Sequence, residues 1–445
     1  MRKSRPTQLA SRPLACVRAL AGALLLALLI GVAASSRAAA EGAVATGKYR
    51  SLFVEAGHSP TEVAQKLTNA FAQLFHGDPA SEALFYPAGT NAHGALAYIY
   101  DVAHDDVRSE GMSYGMMIAV QLDRRREFDA LWNWSRTRMY HTATNHPARG
   151  YFAWSVTTNG IPNDEMPAAD GEEYFVTALY FAAARWGNST GIHAYRTEAD
   201  RLLKDMRSRE TITGPTRKGV MTGVSLFHPE RAMVRFTPDL KNSEHTDPSY
   251  HLPAFYEVWA RCAPPSERAF WSKAATTSRD FFQRAAHPQT GLTPEYANFD
   301  GTPWTCDWNP RSGEFQFDAW RTAMNWSVDW SWWGQDARAR DLSDRLQAFF
   351  ADQGMNTYAN HYTLEGRPVG AERSTGLVAM NAVASLASTR PRGRDFVEAL
   401  WNAPVPTGQW RYYDGMLYLL ALLHCSGEFR VWMPEWTVGS YEVKN

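Results

Sequence analysis

Asp106-Val-Arg-Ser-Glu-Gly-Met-Ser-Tyr-Gly-Met-Met117 opens on charge and becomes wholly apolar within a turn. The apolar run continues through Ile118-Ala-Val120, and a second stretch, 125–139, then repeats its apolar residues at intervals of three and four. That spacing lays them along one side of a helix. The same reading gives helical stretches at 59–76, 107–123, 125–139, 168–186, 193–210, 250–262, 266–285, 315–333, 335–352, 374–388, 392–402 and 409–425. Ser59-Pro60-Thr61-Glu62 puts proline in a first turn with an acid behind it, and Arg185-Trp186-Gly187 ends a helix on glycine. Strand-like alternation is scarce, best at Leu84–Tyr86, Ala97–Tyr100 and Val220–Ser225.

No Pro-rich or Gly/Ser-rich linker and no charge block divides residues 50–430. A single all-α domain of six antiparallel helix pairs, an (α/α)6 barrel spanning residues 41–445, is therefore expected. An open solenoid is the rival packing, but no fixed sequence period supports it. The long connections at 140–167, 211–249, 287–314 and 353–373 are expected to wall a cleft at one end.

The first 40 residues hold a basic start (Arg2, Lys3, Arg5, Arg12, Arg18), an apolar run from Ala19 to Ala34 and small residues up to Ala40. That is the layout of a cleaved signal peptide, so the chain is expected to be exported, to a periplasm or beyond, with no membrane attachment afterwards. Removing residues 1–40 takes away six basic and no acidic residues. The remaining 39 Lys and Arg against 46 Asp and Glu leave a net charge of −7. Nucleic acid and anionic membranes call for a basic face and are disfavoured as partners. Only Cys262, Cys306 and Cys425 remain, too few for a disulfide scaffold and without a CxxC pair. The 17 Trp, 19 Tyr and 21 Phe are many, and aromatic rings both fill cores and stack on sugars.

Three acids stand where a merely solvated charge would not. Glu110 starts a helix beside Met112, Tyr114 and Met116. Asp170 starts another in Pro167-Ala-Ala-Asp-Gly-Glu-Glu-Tyr-Phe175. Asp318 sits among aromatics in Phe315-Gln-Phe-Asp-Ala-Trp-Arg321, with Arg321 a turn ahead. Each could simply meet a helix dipole as a first-turn acid. Together they suggest the paired carboxyls of glycosidic hydrolysis, one protonated and one ionised. An apolar pocket would raise the Glu110 pKa, and Arg321 would keep Asp318 ionised.

Competing motifs fare worse. Gly111-Met-Ser-Tyr-Gly115 matches G-x-S-x-G, but the charged residues before it form no strand, so Ser113 lacks the elbow a nucleophile needs. His245 and His251 near Asp247 have no metal-ligand spacing. No phosphate-binding loop or G-x-G-x-x-G appears, so no cofactor and no metal are expected.

At these residues the sequence resembles glycoside hydrolase family 8, and within it the branch releasing xylose from the reducing ends of xylo-oligosaccharides. The resemblance rests on Asp106–Met117, Gly150-Tyr-Phe-Ala-Trp154, Asp170-Gly-Glu-Glu-Tyr-Phe175, Asp247-Pro-Ser-Tyr-His-Leu-Pro-Ala-Phe-Tyr256 and Phe317-Asp-Ala-Trp-Arg321. It implies an (α/α)6 barrel and inversion, with Glu110 as general acid and Asp318 as general base. It puts a sugar-holding acid at Asp170, where Glu172 could exchange roles, and a tyrosine near the reacting water at Tyr250, where Tyr256 could. Trp154, Trp320 and Trp326 are candidates for stacking, and Tyr114 and Arg321 for substrate contacts. Endo-acting members usually carry Ala-Thr/Ser-Asp-Ala/Gly-Asp where this chain has Ala169-Asp-Gly-Glu-Glu173, which favours the oligoxylanase branch. Asn360–Ser374 is the candidate loop to close one cleft end. An endo-acting xylanase or glucanase of the same family is the nearest alternative, and a polysaccharide lyase a remote one.

Overall fold

The computed structural model describes residues 41–433. The expected signal peptide, residues 1–40, lies outside them. Twelve helices of nine residues or more follow in order: α1 Pro60–His76, α2 Ser109–Gln121, α3 Arg125–Arg138, α4 Ala169–Trp186, α5 Tyr195–Arg207, α6 Pro253–Cys262, α7 Arg268–Ala285, α8 Thr322–Trp333, α9 Arg338–Asp352, α10 Thr375–Val383, α11 Gly393–Asn402 and α12 Arg411–Ser426. Two single-turn helices, Ala43–Thr46 and Leu52–Glu55, precede them.

Two kinds of helix alternate along the chain. Every residue of α2 except Glu110 is buried, and α4 and α12 are buried nearly throughout. A helix apolar on all sides must be surrounded by protein. By contrast α5 buries Tyr195, Ala199, Leu202, Leu203 and Met206, one stripe, and α11 buries Phe396, Val397 and Leu400 likewise. The contacts follow this division. Helix α2 packs on α4, α4 on α6, α6 on α8, α8 on α10, α10 on α12, and α12 on α2 again. Each also packs on a one-sided neighbour: α3, α5, α7, α9, α11 and α1 respectively. The fold is thus all-α, and no helix among the described residues is long and apolar enough to cross a membrane.

Local chemistry fixes the helix ends as the sequence suggests. The Ser59 side chain caps α1 while Glu62 reaches back to the Ser59 backbone, with Pro60 in the first turn. Helix α4 stops at Gly187, whose φ of 79° suits glycine.

Two expected helix starts shift. Tyr250 lies in a separate 3-10 turn, Pro248–Tyr250, because Pro253 starts α6 and holds the preceding Leu252 out of helical backbone. Asp318 lies in the 3-10 turn Phe317–Arg321 ahead of α8. Short strands are more numerous than alternation suggested. The hairpin β1 Phe85–Asn91 and β2 Gly94–Ile99 takes in most of the first two candidates. The third falls on β7 Gly219–Gly223, paired with β6 Ile212–Thr216. Strands β3 Val107–Arg108, β4 Ser155–Val156, β5 Pro162–Asp164, β8 Phe227–His228 and β9 Met233–Val234 have two or three residues, too few to reveal a period of two.

The four long connections lead into α4, α6, α8 and α10. Successive ones touch through bridges at Thr246–Ala297 and Phe315–Tyr362.

Candidate active site

Arg321 joins the candidate acids. Its side chain is 1% exposed, and its Nη1 donates to Glu110 Oε2 at 2.9 Å, to Asp170 Oδ2 at 2.6 Å and to the Tyr114 hydroxyl. Its Nη2 meets Asp318 Oδ1 at 2.8 Å and Ser249 Oγ at 3.1 Å. These partners stand at or just before the N-terminal ends of α2, α4, α6 and α8, so the ends of four ring helices and their long loops converge. Two glycines permit the approach. A Cβ on Gly171 would stand 2.5 Å from Ser109 Oγ, and one on Gly111 would stand 2.6 Å from the Tyr412 ring. Glycine at those places lets Asp170 and Tyr412 close on Glu110.

The carboxyls differ in surroundings. Glu110 also accepts from the Tyr412 hydroxyl at 2.9 Å, and 14% of its side chain is exposed to solvent. Burial pushes its pKa up to about 8; Arg321 opposes this, while Asp170 and Asp318 add to it. At neutral pH Glu110 holds its proton. Asp170 is more deeply buried, and burial also raises its pKa against the pull of Arg321 and the Gly171 N–H. Asp318 is 24% exposed and paired with Arg321, with the Tyr413 hydroxyl 3.4 Å away.

Further acids surround Asp318. Asp247 is buried, accepts from the Ser249 N–H at 2.7 Å, and is raised well above the carboxylate range by burial and by Asp318. Glu295 accepts from Gln316 Nε2 at 2.6 Å and Asn309 Nδ2 at 2.9 Å, and burial with Asp318 brings it to about 8.

The paired candidates differ in their contacts. Glu172 accepts from the Phe152 N–H and Glu173 from the Tyr256 hydroxyl, both in the core, whereas Asp170 faces Arg321. Tyr250 lies against Arg321, its ring centroid 5.8 Å from the guanidinium carbon, while Tyr256 is turned to Glu173. Trp154 is partly exposed beside Arg108, and its carbonyl accepts from the Ser109 N–H next to Glu110. Trp320 is buried with its indole on the Asn360 carbonyl, so it anchors the Asn360–Ser374 loop rather than offering a face. Trp326 is in the core, donating to Ser343, and is no stacking platform. Tyr114, also buried, braces Arg321 from below.

The rival motifs find other partners. Ser113 is buried inside α2 and bonds the Glu110 carbonyl. His245 stacks on Trp304, and His251 sits between Thr246 and Ser278. The three cysteines are free. Sequence reasoning passed over Tyr412 and Tyr413. Their signal was Arg411-Tyr-Tyr-Asp414, another polar and aromatic start to a helix buried nearly throughout.

A protonated carboxyl and a solvent-accessible one on two arms of a guanidinium are what cleaving a glycosidic bond requires. Fold and site together define a glycoside hydrolase. More narrowly, the chain belongs to glycosyl hydrolases family 8, whose model matches residues 99–427. It is 41% identical over 394 residues to a reducing-end xylose-releasing exo-oligoxylanase of Paenibacillus barcinonensis, covering 88% of this chain and 99% of that one. It is also 41% identical to such an enzyme from Halalkalibacterium halodurans, over 89% of this chain and 97% of the relative. The crystal structure of a catalytic mutant of a family 8 xylanase from Teredinibacter turnerae with xylohexaose superposes with a TM-score of 0.87. That protein is 59% identical over 88% of this chain and all of its own.

Proposed function

We propose that the chain is an exported inverting hydrolase that releases xylose from the reducing end of β-1,4-xylo-oligosaccharides, with Glu110 as general acid and Asp318 as general base. The observation that carries the site is the single guanidinium of Arg321 between the two carboxyls. Contacts of 2.9 and 2.8 Å to neighbouring nitrogens of one planar group keep the carboxyl oxygens within roughly 8 Å. Inversion requires the two carboxyl groups to stand roughly 6.5–9.5 Å apart, with room for an attacking water. Glu110 gives its proton to the leaving oxygen as the bond to the anomeric carbon breaks. The water attacks from the opposite face, and its proton passes to Asp318. Asp170 holds the sugar at the cleavage point, and Tyr250 orients the water. The displacement needs neither metal nor cofactor.

The cyclic order of ring contacts supports an (α/α)6 barrel for residues 41–445, and the layout of residues 1–40 supports a signal peptide. Reducing-end release is supported by the curated relatives and by the Asn360–Ser374 loop, anchored through Trp320 two residues from Asp318. Endo-acting xylanase action is the second reading, favoured by the xylanase at 59% identity described with xylohexaose.

Proton NMR of a fresh digest of xylo-oligosaccharides tests the mechanism. The α-anomer is expected first, and initial β-anomer would overturn inversion. Chromatography of the same digest separates the readings: xylose lost singly from reducing ends supports the first, a ladder of oligomers the second.

A further inference from the structure

Of all Phe, Trp and Tyr side chains among the described residues, only Trp308, Phe317 and Trp410 are exposed. In a chain so rich in rings this is selective. Trp410, at 68%, is the most open, and it stands two residues before Tyr412, which donates to Glu110. Its backbone is fixed. Buried Arg411 next to it donates to the carbonyls of Pro79, Ala83 and Gly408, and the Gly408 N–H donates to Ser81.

His104 faces the Trp410 ring edge-on, 6.2 Å between centroids. It occupies the tip of a turn closed by the Asp101–Asp106 bridge, and its side chain is 54% exposed yet firmly held. Asp101, itself buried, accepts from the Ala103 and His104 N–H groups and from His104 Nδ1 at 2.8 Å. It also pairs with Arg108 at 3.1 Å, and the Arg108 guanidinium lies over both Trp154 and Tyr412. A carboxylate can only accept, so Nδ1 carries a proton and Nε2 is left to exchange a hydrogen bond with a ligand. Nε2 has no partner among the described residues. An unbroken line of side chains thus runs from Glu110 through Tyr412, Arg108 and Asp101 to an open indole beside an oriented imidazole. Holding an exposed imidazole in one orientation costs side-chain entropy, which a ligand contact would offset. A flat ring with a hydrogen-bonding nitrogen at its edge matches a sugar, which offers an apolar face rimmed by hydroxyls.

We propose that Trp410 and His104 form a distal subsite for a xylose unit beyond the cleavage point. The Trp410 indole stacks on the sugar face, and His104 Nε2 hydrogen-bonds a hydroxyl. The subsite rests on the reading of the chain as a xylo-oligosaccharide hydrolase. It makes long oligomers better substrates than short ones.

The test compares kcat/KM for xylohexaose and xylotriose in the wild type, Trp410→Ala, Trp410→Phe and His104→Ala. The hexaose-to-triose ratio is expected to fall roughly tenfold in W410A and about threefold in H104A, with most of the loss restored in W410F. Xylohexaose binding by calorimetry to Asp318→Asn, with and without W410A, should weaken by a similar factor. Ratios and affinities unchanged by W410A would overturn the subsite while the hydrolase reading stands. A wild type that cleaves cello-oligosaccharides and no xylo-oligosaccharide would overturn both.

Discussion

Arg321 Nη1 lies 2.9 Å from Glu110 Oε2, yet the Glu110 carboxyl is pushed up to about 8 rather than down. Burial, with the negative charge of Asp170 and Asp318, outweighs the cation. A general acid must be protonated in the free enzyme, so kcat/KM is expected to fall tenfold per pH unit above about 8. A rate profile that stays flat to pH 10 would remove Glu110 from that role.

Asp170 shares Nη1 of Arg321 with Glu110 and raises the Glu110 pKa by its charge. Asp170→Asn removes that charge without changing shape. The alkaline limb of kcat/KM should therefore move to lower pH, alongside a drop in rate from weaker hold on the sugar. Profiles of wild type and D170N that bend at the same pH would show that the two carboxyls are not coupled.

Much of the site was legible because its acids break the chain's own pattern. Glu110 is the one residue of α2 that is not buried, and a charge at the head of an apolar helix stands out in sequence. Asp170 and Asp318 stand out for the same reason. Arg321 was visible as the neighbour of Asp318, but its role as hub was not, since the partners at 110, 170 and 249 meet only after ring closure. Asp247 and Tyr412 could be read in the chain, but their places beside Asp318 and Glu110 could not. The tryptophans show the opposite failure. Composition marks rings as candidates for stacking, but burial decides, and it sends Trp320 and Trp326 inward while leaving Trp410 in solvent. Helix existence followed from periodicity, whereas the 3-10 turns at 248–250 and 317–321 depend on prolines and on side-chain contacts across the cleft.

Arg321 is the cation that Glu110, Asp170 and Asp318 share, and it is almost fully buried. Arg321→Met strands the acids against one another. Breaking a buried ion pair by removing one partner costs about 3–5 kcal/mol. A thermal melt should show a clear loss of stability, and turnover should be lost with it. Arg321→Lys restores one charge but not the fork, so it should recover part of the stability and little activity. Wild-type melting of R321M would mean the carboxyls take up protons at no cost.

Glu110→Gln and Asp318→Asn keep volume and hydrogen-bonding capacity while abolishing proton transfer. Turnover is expected to drop by roughly 10²–10⁴-fold in each, with melting temperature within a few degrees of wild type. The alkaline limb near pH 8 should vanish in E110Q, whereas in the residual activity of D318N it should persist but move to lower pH, because the Asp318 charge no longer raises Glu110. Near-normal turnover in either variant would reassign the catalytic pair.

Glu295, beside Asp318, offers a stability test of a buried carboxyl. Its folded pKa of about 8 exceeds the ordinary carboxyl value of 4.5, so the folded chain holds a proton that the unfolded chain releases. Between those values the folded state binds more protons, and linkage makes stability fall as pH rises, with each unit of pKa difference worth about 1.4 kcal/mol. Glu295→Gln is neutral at every pH, and its carbonyl can still accept from Gln316 and Asn309, which bond Glu295 Oε2. The variant should melt with the wild type near pH 4.5 and gain on it by several degrees by pH 8. The gap should stop growing above that, where Glu295 is ionised in both states. Melting curves that run parallel across the whole range would show that this buried carboxyl titrates alike in folded and unfolded chains.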